Sequence, residues 1–337
     1  MDLPSDKRVL SAAQPTGDLH IGNYLGALTQ WVALQNAGND CVFPIVDLHA
    51  ITVPYDPKTF SDTVLKTAAV YIAAGIDPTQ STIFIQSHVS AHAEAAWLLT
   101  TITPYGDLTR MTQFKEKGAR QKTVGTGLFA YPILMAADIL LYRTELVPVG
   151  DDQLQHLEFT RTLARKFNRQ FGKTFTEPEA FLLNDTARIM SLTDPKRKMS
   201  KSDKPESRIG LLDDPTTIEK KIRSAVTDSG TGVNPKKIGP AMKNLLTIFS
   251  AFSKTSSPDI AERYAGQGYS VFKKALTELL IDKLSVIRTR ANMLLQDRAE
   301  LRRILADGAG QAAETAQQTL AVMKDRMGLP SEISNAE

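Results

Sequence analysis

Gln14-Pro15-Thr16-Gly17-Asp18-Leu19-His20-Ile21-Gly22-Asn23 is the stretch whose reading decides the fold of this 337-residue chain. Ahead of it, Val9-Leu10-Ser11-Ala12-Ala13 is a short run suited to a buried strand; beyond it, Ile21, Leu25, Leu28 and Val32 recur at helical spacing. The stretch is thus a tight turn that carries a strand onto a helix N-terminus. Such an end offers unpaired N–H groups and the positive pole of the helix dipole, which stabilise a phosphate without a charged side chain. In this reading Gly22 keeps the first turn bare, and His20 and Asn23 add donors where a nucleotide phosphate would arrive. A Pro-x-Gly turn alone is equally compatible with plain strand-to-helix punctuation.

Working outward, Cys41 to Asp47 reads as a second buried strand leading to His49, and residues 58–74 as a helix stopped by Gly75. Ser81 to Gln86 is a third strand and Ala91 to Thr103 a helix. This alternation implies right-handed crossovers and a parallel sheet with ligands beyond the carboxyl ends of its strands, where both His20 and His49 fall. Residues 106–117 and 127–143 break the pattern as two successive helices, an insertion between two halves of the sheet. Leu146 to Val149 returns to strand character, and Gly150-Asp151-Asp152-Gln153 starts a helix with carboxylates in its first turn. Past Ala225 the chain is nearly all helical: Val271, Phe272, Ala275, Leu276, Leu279, Leu280, Leu284 and Ile287 form a stripe, with Lys273, Lys274, Arg288 and Arg290 off it.

Composition narrows the class. With 42% hydrophobic and 23% charged residues the chain is an ordinary globular protein of about two domains. Its formal charge of +3 means that any nucleic-acid contact needs a local basic surface. The single cysteine, Cys41, excludes an intrachain disulfide and a cysteine-ligated metal site. No apolar run approaches the ~18 residues that span a bilayer, and the N-terminus lacks a signal-peptide apolar region, so a cytoplasmic location is expected.

Two further clusters carry chemistry. Lys198-Met199-Ser200-Lys201-Ser202 lies in a charge-dense stretch between Pro195 and Pro205 and reads as a mobile loop. Two lysines spaced by three on such a loop can close on a triphosphate, where catalysis is mostly positioning and charge neutralisation. Asp138 sits in Tyr131-Pro132-Ile133-Leu134-Met135-Ala136-Ala137-Asp138-Ile139-Leu140-Leu141, alone among apolar neighbours on a helix. A buried charge is costly unless paired, so Asp138 must meet either a structural donor or a ligand.

His20-Ile21-Gly22-Asn23 resembles the first signature of class I aminoacyl-tRNA synthetases, and Lys198 to Ser202 matches their second, in the right order. Gln14 to Gly17, the Tyr131 to Leu141 run and Val147 to His156 are similar to the tryptophanyl-tRNA synthetases, and the likeness covers almost the whole chain. Leu10 and Ala12-Ala13 depart from the family, which often has an aromatic and a glycine there.

The resemblance implies a Rossmann-like α/β catalytic domain over residues 1–190 with helices inserted at about 104–143. A signature loop and return segment would span 191–225, a smaller all-helical domain that binds the tRNA anticodon 226–327, and a polar tail 328–337. It implies that L-tryptophan and ATP, with Mg2+, give tryptophanyl-adenylate and pyrophosphate, and that the acyl group passes to tRNA(Trp). By the same likeness His20, Asn23, Lys117, Lys198 and Lys201 are catalytic, and no dedicated metal ligands are expected. Gln14, Pro15, Thr16, Gly22, Gly150, Asp151, Asp152, Ile189, Met199, Ser200 and Ser202 join Asn23, Lys198 and Lys201 in holding ATP. Asp138 would accept the indole N–H, Met135, Val147 and Val149 would clasp the ring, Gln153 and Tyr131 would hold the amino group, and His49 completes the tryptophan-binding set. A homodimer formed through the inserted helices is also implied. The rivals are a tyrosyl enzyme, which shares the fold, and a tryptophan- or nucleotide-binding paralogue that does not charge tRNA.

Overall fold

Five parallel strands in the order β3-β2-β1-β4-β5 form one sheet, in a computed structural model that describes residues 3–112, 125–182, 188–201 and 203–330. They are β1 (Arg8–Leu10), β2 (Asp40–Ile45), β3 (Ser81–Ile85), β4 (Leu146–Val149) and β5 (Glu179–Leu182). The first four match the sequence reading with trimmed ends. β5 was not anticipated: its residues are largely exposed at the sheet edge, so they carry no buried run or alternation to read.

The order reverses between β1 and β4, the place in an open parallel sheet where a ligand crevice forms. These strands share one residue pair, Val9 beside Leu146, and then part. Past the split, the Ser11 hydroxyl donates to Pro148 O at 3.1 Å. Pro44 is tolerated in central β2 because β1 ends opposite Val42, so its missing N–H costs no ladder bond.

The expected first helix is α1 (Ile21–Asn23), which runs through a π turn (Tyr24–Leu28) into α2 (Thr29–Asn36). There follow α3 (Asp47–Ala50), α4 (Pro57–Ala73), α5 (Ala91–Ile102), α6 (Tyr105–Thr109), α7 (Thr126–Leu141) and α8 (Leu154–Phe171). Asp151–Gln153 is a separate 3-10 turn before α8, not the first turn of an α-helix. Of the helix expected over 106–117, the described residues show α6 ending at Thr109, a break at Arg110 and Met111, and helical backbone again at Thr112.

The C-terminal region holds α9 (Pro215–Ser224), α10 (Pro240–Ser253), α11 (Ser257–Arg263), α12 (Tyr269–Gln296) and α13 (Arg298–Arg326). Its apolar stripe is buried at Phe272, Leu276, Leu280, Leu284 and Ile287, partly buried at Ala275 and Leu279, and exposed at Val271. Phe272, Leu276, Leu280 and Leu284 share one core with Trp31, Phe43 and Tyr71 beneath the sheet. Several of the basic residues beside the stripe are structural: Lys273 donates to the carbonyls of Arg223 and Ala225, Arg288 to that of Asp213, and Arg298 pairs with Asp62.

α13 returns along the edge strand β3 so closely that a Cβ on Gly308 would stand 2.0 Å from the Ile83 carbonyl oxygen. Gly308→Ala should therefore destabilise the fold by about 1–3 kcal/mol, although alanine is the better helix former. Gly310→Ala, two residues on, meets nothing within 4 Å and should be neutral or stabilising. Thermal unfolding of both variants checks this, and equal melting temperatures would contradict the close approach.

Candidate functional site

The parting of β1 and β4 opens a cavity of about 470 Å³. Leu10, Ser11 and Ala12 line it from the end of β1, Val147, Pro148 and Val149 from β4, and Tyr131, Met135 and Asp138 from α7, with His49, Gly150, Asp152 and Gln153 at its margins. The cavity therefore gathers all seven residues expected around an indole. Four of them are already engaged with neighbours: Asp138 and His49 meet each other, the Tyr131 hydroxyl lies 2.7 Å from His156 Nε2, and the Gln153 amide donates to Asp152 Oδ2 at 2.8 Å.

Asp138 is 3% exposed, and its partners settle the choice left open by the sequence: it has structural donors and also faces the cavity. His49 Nε2 meets Oδ2 at 2.7 Å, while Gln86 Nε2 and His92 Nδ1 meet Oδ1 at 2.7 and 2.6 Å. Burial by itself would push this carboxyl up. The charge and hydrogen bond of His49, then those of His92, overcome burial and hold it below the ordinary carboxylate range. Gln86, His92 and Tyr142 escaped the sequence reading. The usable signal was the demand of Asp138 for buried donors in a chain with only five histidines.

Beside the cavity lies a cleft of about 1120 Å³, lined by Gln14, Pro15, Thr16, Gly17, His20 and Asn23 on one wall and Lys198, Met199, Ser200 and Lys201 on another, with Arg188 between. Lys201 borders both spaces and donates from Nζ to Gln14 O at 2.9 Å; burial pulls its ammonium down to about 8. Part of the stretch expected to be a mobile loop, Arg197 to Met199, pairs with Ile189 to Ser191 as a hairpin. Met199 N–H donates to Ile189 O at 3.0 Å and Ser191 N–H to Arg197 O at 2.8 Å. Asn244 of α10 clamps it, accepting from Met190 N–H and donating to Met190 O, each at 2.9 Å.

Some expected ATP contacts lie elsewhere. Ile189 is buried beneath the hairpin and borders neither space, and Asp151 is exposed outside both. Lys117 and Ser202 lie outside the described residues.

The first turn is closed by its own side chains and is not bare. His20 Nδ1 accepts from Gly22 N–H at 3.1 Å, and Asn23 Oδ1 accepts from His20 N–H at 3.2 Å. Gly22 is needed here, since a Cβ would stand 3.0 Å from the His20 ring. With Nδ1 accepting, the proton of the neutral ring sits on Nε2, available to the cleft. Burial first, then the charges of Lys201, Arg208 and Lys198, bring His20 down from 6.5 to about 3. Between those values the unfolded chain binds a proton that the folded chain does not, so this ring costs nothing above 6.5 and removes stability as pH falls toward 3. His20→Asn keeps a capping side chain, so its melting temperature should fall less than that of the unsubstituted protein between about pH 7 and pH 4. Parallel melting curves would contradict the buried neutral ring.

The described geometry has close counterparts. The family model described as tRNA synthetases class I (W and Y) matches residues 4–285. The tryptophan–tRNA ligase of Caldanaerobacter subterraneus subsp. tengcongensis is 53% identical over 96% of this chain and 98% of its own length. That of Leifsonia xyli subsp. xyli is 52% identical over 95% and 96%. The crystal structure of tryptophanyl-tRNA synthetase from Campylobacter jejuni, complexed with ADP and tryptophan, superposes with a TM-score of 0.86 at 38% identity, covering 96% of this chain and 100% of that one. A chain matched over its length by these relatives belongs to the tryptophan–tRNA ligases, within the class I tRNA synthetases for tryptophan and tyrosine.

Proposed function

We propose that the cavity holds L-tryptophan and the adjoining cleft ATP, as the two halves of the activation site of a tryptophan–tRNA ligase. The observation that carries this reading is the ionised Asp138 carboxylate, buried in the wall of a mostly apolar cavity where a flat ring with one N–H fits. Val147 and Val149 on β4, with Met135 opposite on α7, supply the faces for the ring.

In the first half-reaction a carboxylate oxygen of tryptophan bonds to the α-phosphorus of ATP. The bond from that phosphorus to the bridging oxygen breaks, and pyrophosphate leaves with the electron pair. Negative charge grows on the leaving group, so donors placed along the cleft act on the transition state more than on the ground state. Lys198, Lys201 and the His20 Nε2–H are so placed. Magnesium arrives on the phosphate oxygens of ATP; this ion keeps most of its ligands from phosphate and water, so a cage of protein carboxylates is not required. In the second half-reaction a hydroxyl of the terminal ribose of tRNA(Trp) attacks the acyl carbon and AMP departs.

The tRNA meets the helical region 226–327, where Lys274 and Arg302 are exposed. An unchanged KM for tRNA after reversing both charges would rule this contact out. Two chains pair through the inserted region, where Tyr105 is 74% exposed and packed on Phe129 at 5.4 Å between ring centroids, together with Trp97, 67% exposed on α5. A monomeric mass in sedimentation would rule this pairing out. Action on tRNA places the enzyme in the cytoplasm; no described helix is long and apolar enough to cross a membrane.

ATP–pyrophosphate exchange tests the site directly. Asp138→Asn should lose ~100-fold or more in kcat/KM for tryptophan; its amide N–H faces one of the three buried donors, so the melting temperature should also fall, while ATP affinity of the folded enzyme changes little. Lys198→Ala and Lys201→Ala should each raise the barrier by about 2–4 kcal/mol while tryptophan still binds. A folded Asp138→Asn enzyme that activates tryptophan normally would overturn the assignment of the cavity.

A further inference from the structure

A carboxylate can accept about four hydrogen bonds, two on each oxygen. Asp138 Oδ1 takes two, from Gln86 and His92, and Oδ2 takes one, from His49. Among the described residues this leaves one acceptor direction, on Oδ2 of a side chain that lines the cavity. The residues that saturate Oδ1 do not border that cavity. His92 and Gln86 are fully buried behind Asp138, and the second ring nitrogen of His92 meets the buried Tyr142 hydroxyl at 2.8 Å.

We propose that Tyr142 and His92 are positioning residues for amino-acid selection: a hydroxyl–imidazole–carboxylate relay fixes Asp138 with a single acceptor facing the substrate. This rests on the reading of the cavity as the tryptophan site. An ionised carboxylate only accepts, so the His92 ring must carry a proton on Nδ1, where it donates to Oδ1. Nε2 then bonds the Tyr142 hydroxyl at 2.8 Å, a group that can donate or accept to suit. The other tautomer would set a ring lone pair against the carboxylate at 2.6 Å. The carboxylate thereby fixes the proton on Nδ1, and Tyr142 fixes the orientation of the ring through Nε2, with its own ring 5.5 Å from that of His92 and Phe84 packed at 5.8 Å. Once Oδ1 is full, the carboxylate can gain a further bond only from a donor in the cavity. Loss of the relay frees Oδ1 to compete for the indole N–H and lets Asp138 rotate out of register.

The test compares tryptophan with its benzothienyl analogue, in which sulfur replaces the indole N–H, by ATP–pyrophosphate exchange. Tyr142→Phe, which removes one oxygen, should lower kcat/KM for tryptophan roughly 10- to 100-fold, the size expected for loosening a hydrogen bond to a charged group. The value for the analogue and the KM for ATP should not change, so the preference for tryptophan narrows by that factor. His92→Asn sets an amide N–H where Nδ1–H stands and has no second ring nitrogen for Tyr142 to hold, so it should keep the original preference, alone and combined with Tyr142→Phe. Tryptophan and analogue falling together in Tyr142→Phe, or a preference that collapses in His92→Asn, would overturn the relay. An unsubstituted enzyme that fails to activate tryptophan would overturn the reading beneath it; one that succeeds while Tyr142→Phe keeps its full preference overturns the relay alone.

Discussion

A single buried charge constrains the upper face of this sheet. The Asp138 carboxylate lies on an apolar helix, where an unpaired ion costs several kcal/mol even after relaxation. The fold meets that demand with donors from different elements: His49 from the helix after β2, Gln86 from the turn after β3, and His92 from α5. Two of these donors stand just past the carboxyl ends of parallel strands, where crossovers deliver side chains to one edge of a sheet. The same edge opens at the switch point because β1 stops after Leu10 while β4 runs on to Val149. Charge and space are therefore placed together by the same topology.

The second half of the site is tied to the first through Lys201, whose ammonium rests on the Gln14 carbonyl at the border of cavity and cleft. The hairpin that carries it is registered against Ile189 to Ser191 and held by Asn244 from the helical region. The strand-like return at Ile209 to Leu211 in turn pairs with Leu19 and Ile21 on the first turn. Lysines, phosphate-facing turn and C-terminal helices thus form one hydrogen-bonded chain over a shared core. A change in the helices can reach the cleft without touching a substrate.

Much of this was legible in the residues. Apolar runs at 9–13, 41–47 and 81–86, set between helical periods, announced a parallel sheet, and Asp138 announced a partner by its cost alone. What stayed hidden was decided by tertiary contact. β5 is a strand only because it pairs with β4, since its own residues face solvent. The π turn at Tyr24–Leu28 leaves no mark in the spacing of Ile21, Leu25 and Leu28. His20 reads as a phosphate donor and keeps Nε2–H facing the cleft for that role, while its Nδ1 caps its own helix, which a residue-type argument does not foresee. Lys273 and Arg288 looked like a basic face, and both instead cap backbone carbonyls left open at a helix end and a turn. The hairpin escaped because its proline and lysine content signals solvent exposure, while one arm is held by Asn244, more than forty residues downstream.

The central claim is that the charge of Asp138 is completed by the substrate. A crystal structure of the protein with L-tryptophan tests it most directly. The account predicts the indole nitrogen about 2.9 Å from Asp138 Oδ2, with His49, Gln86 and His92 unmoved and the ring between Met135 and the valines of β4. An indole nitrogen directed at any other group, or Asp138 left facing an unfilled cavity while tryptophan binds elsewhere, would contradict it.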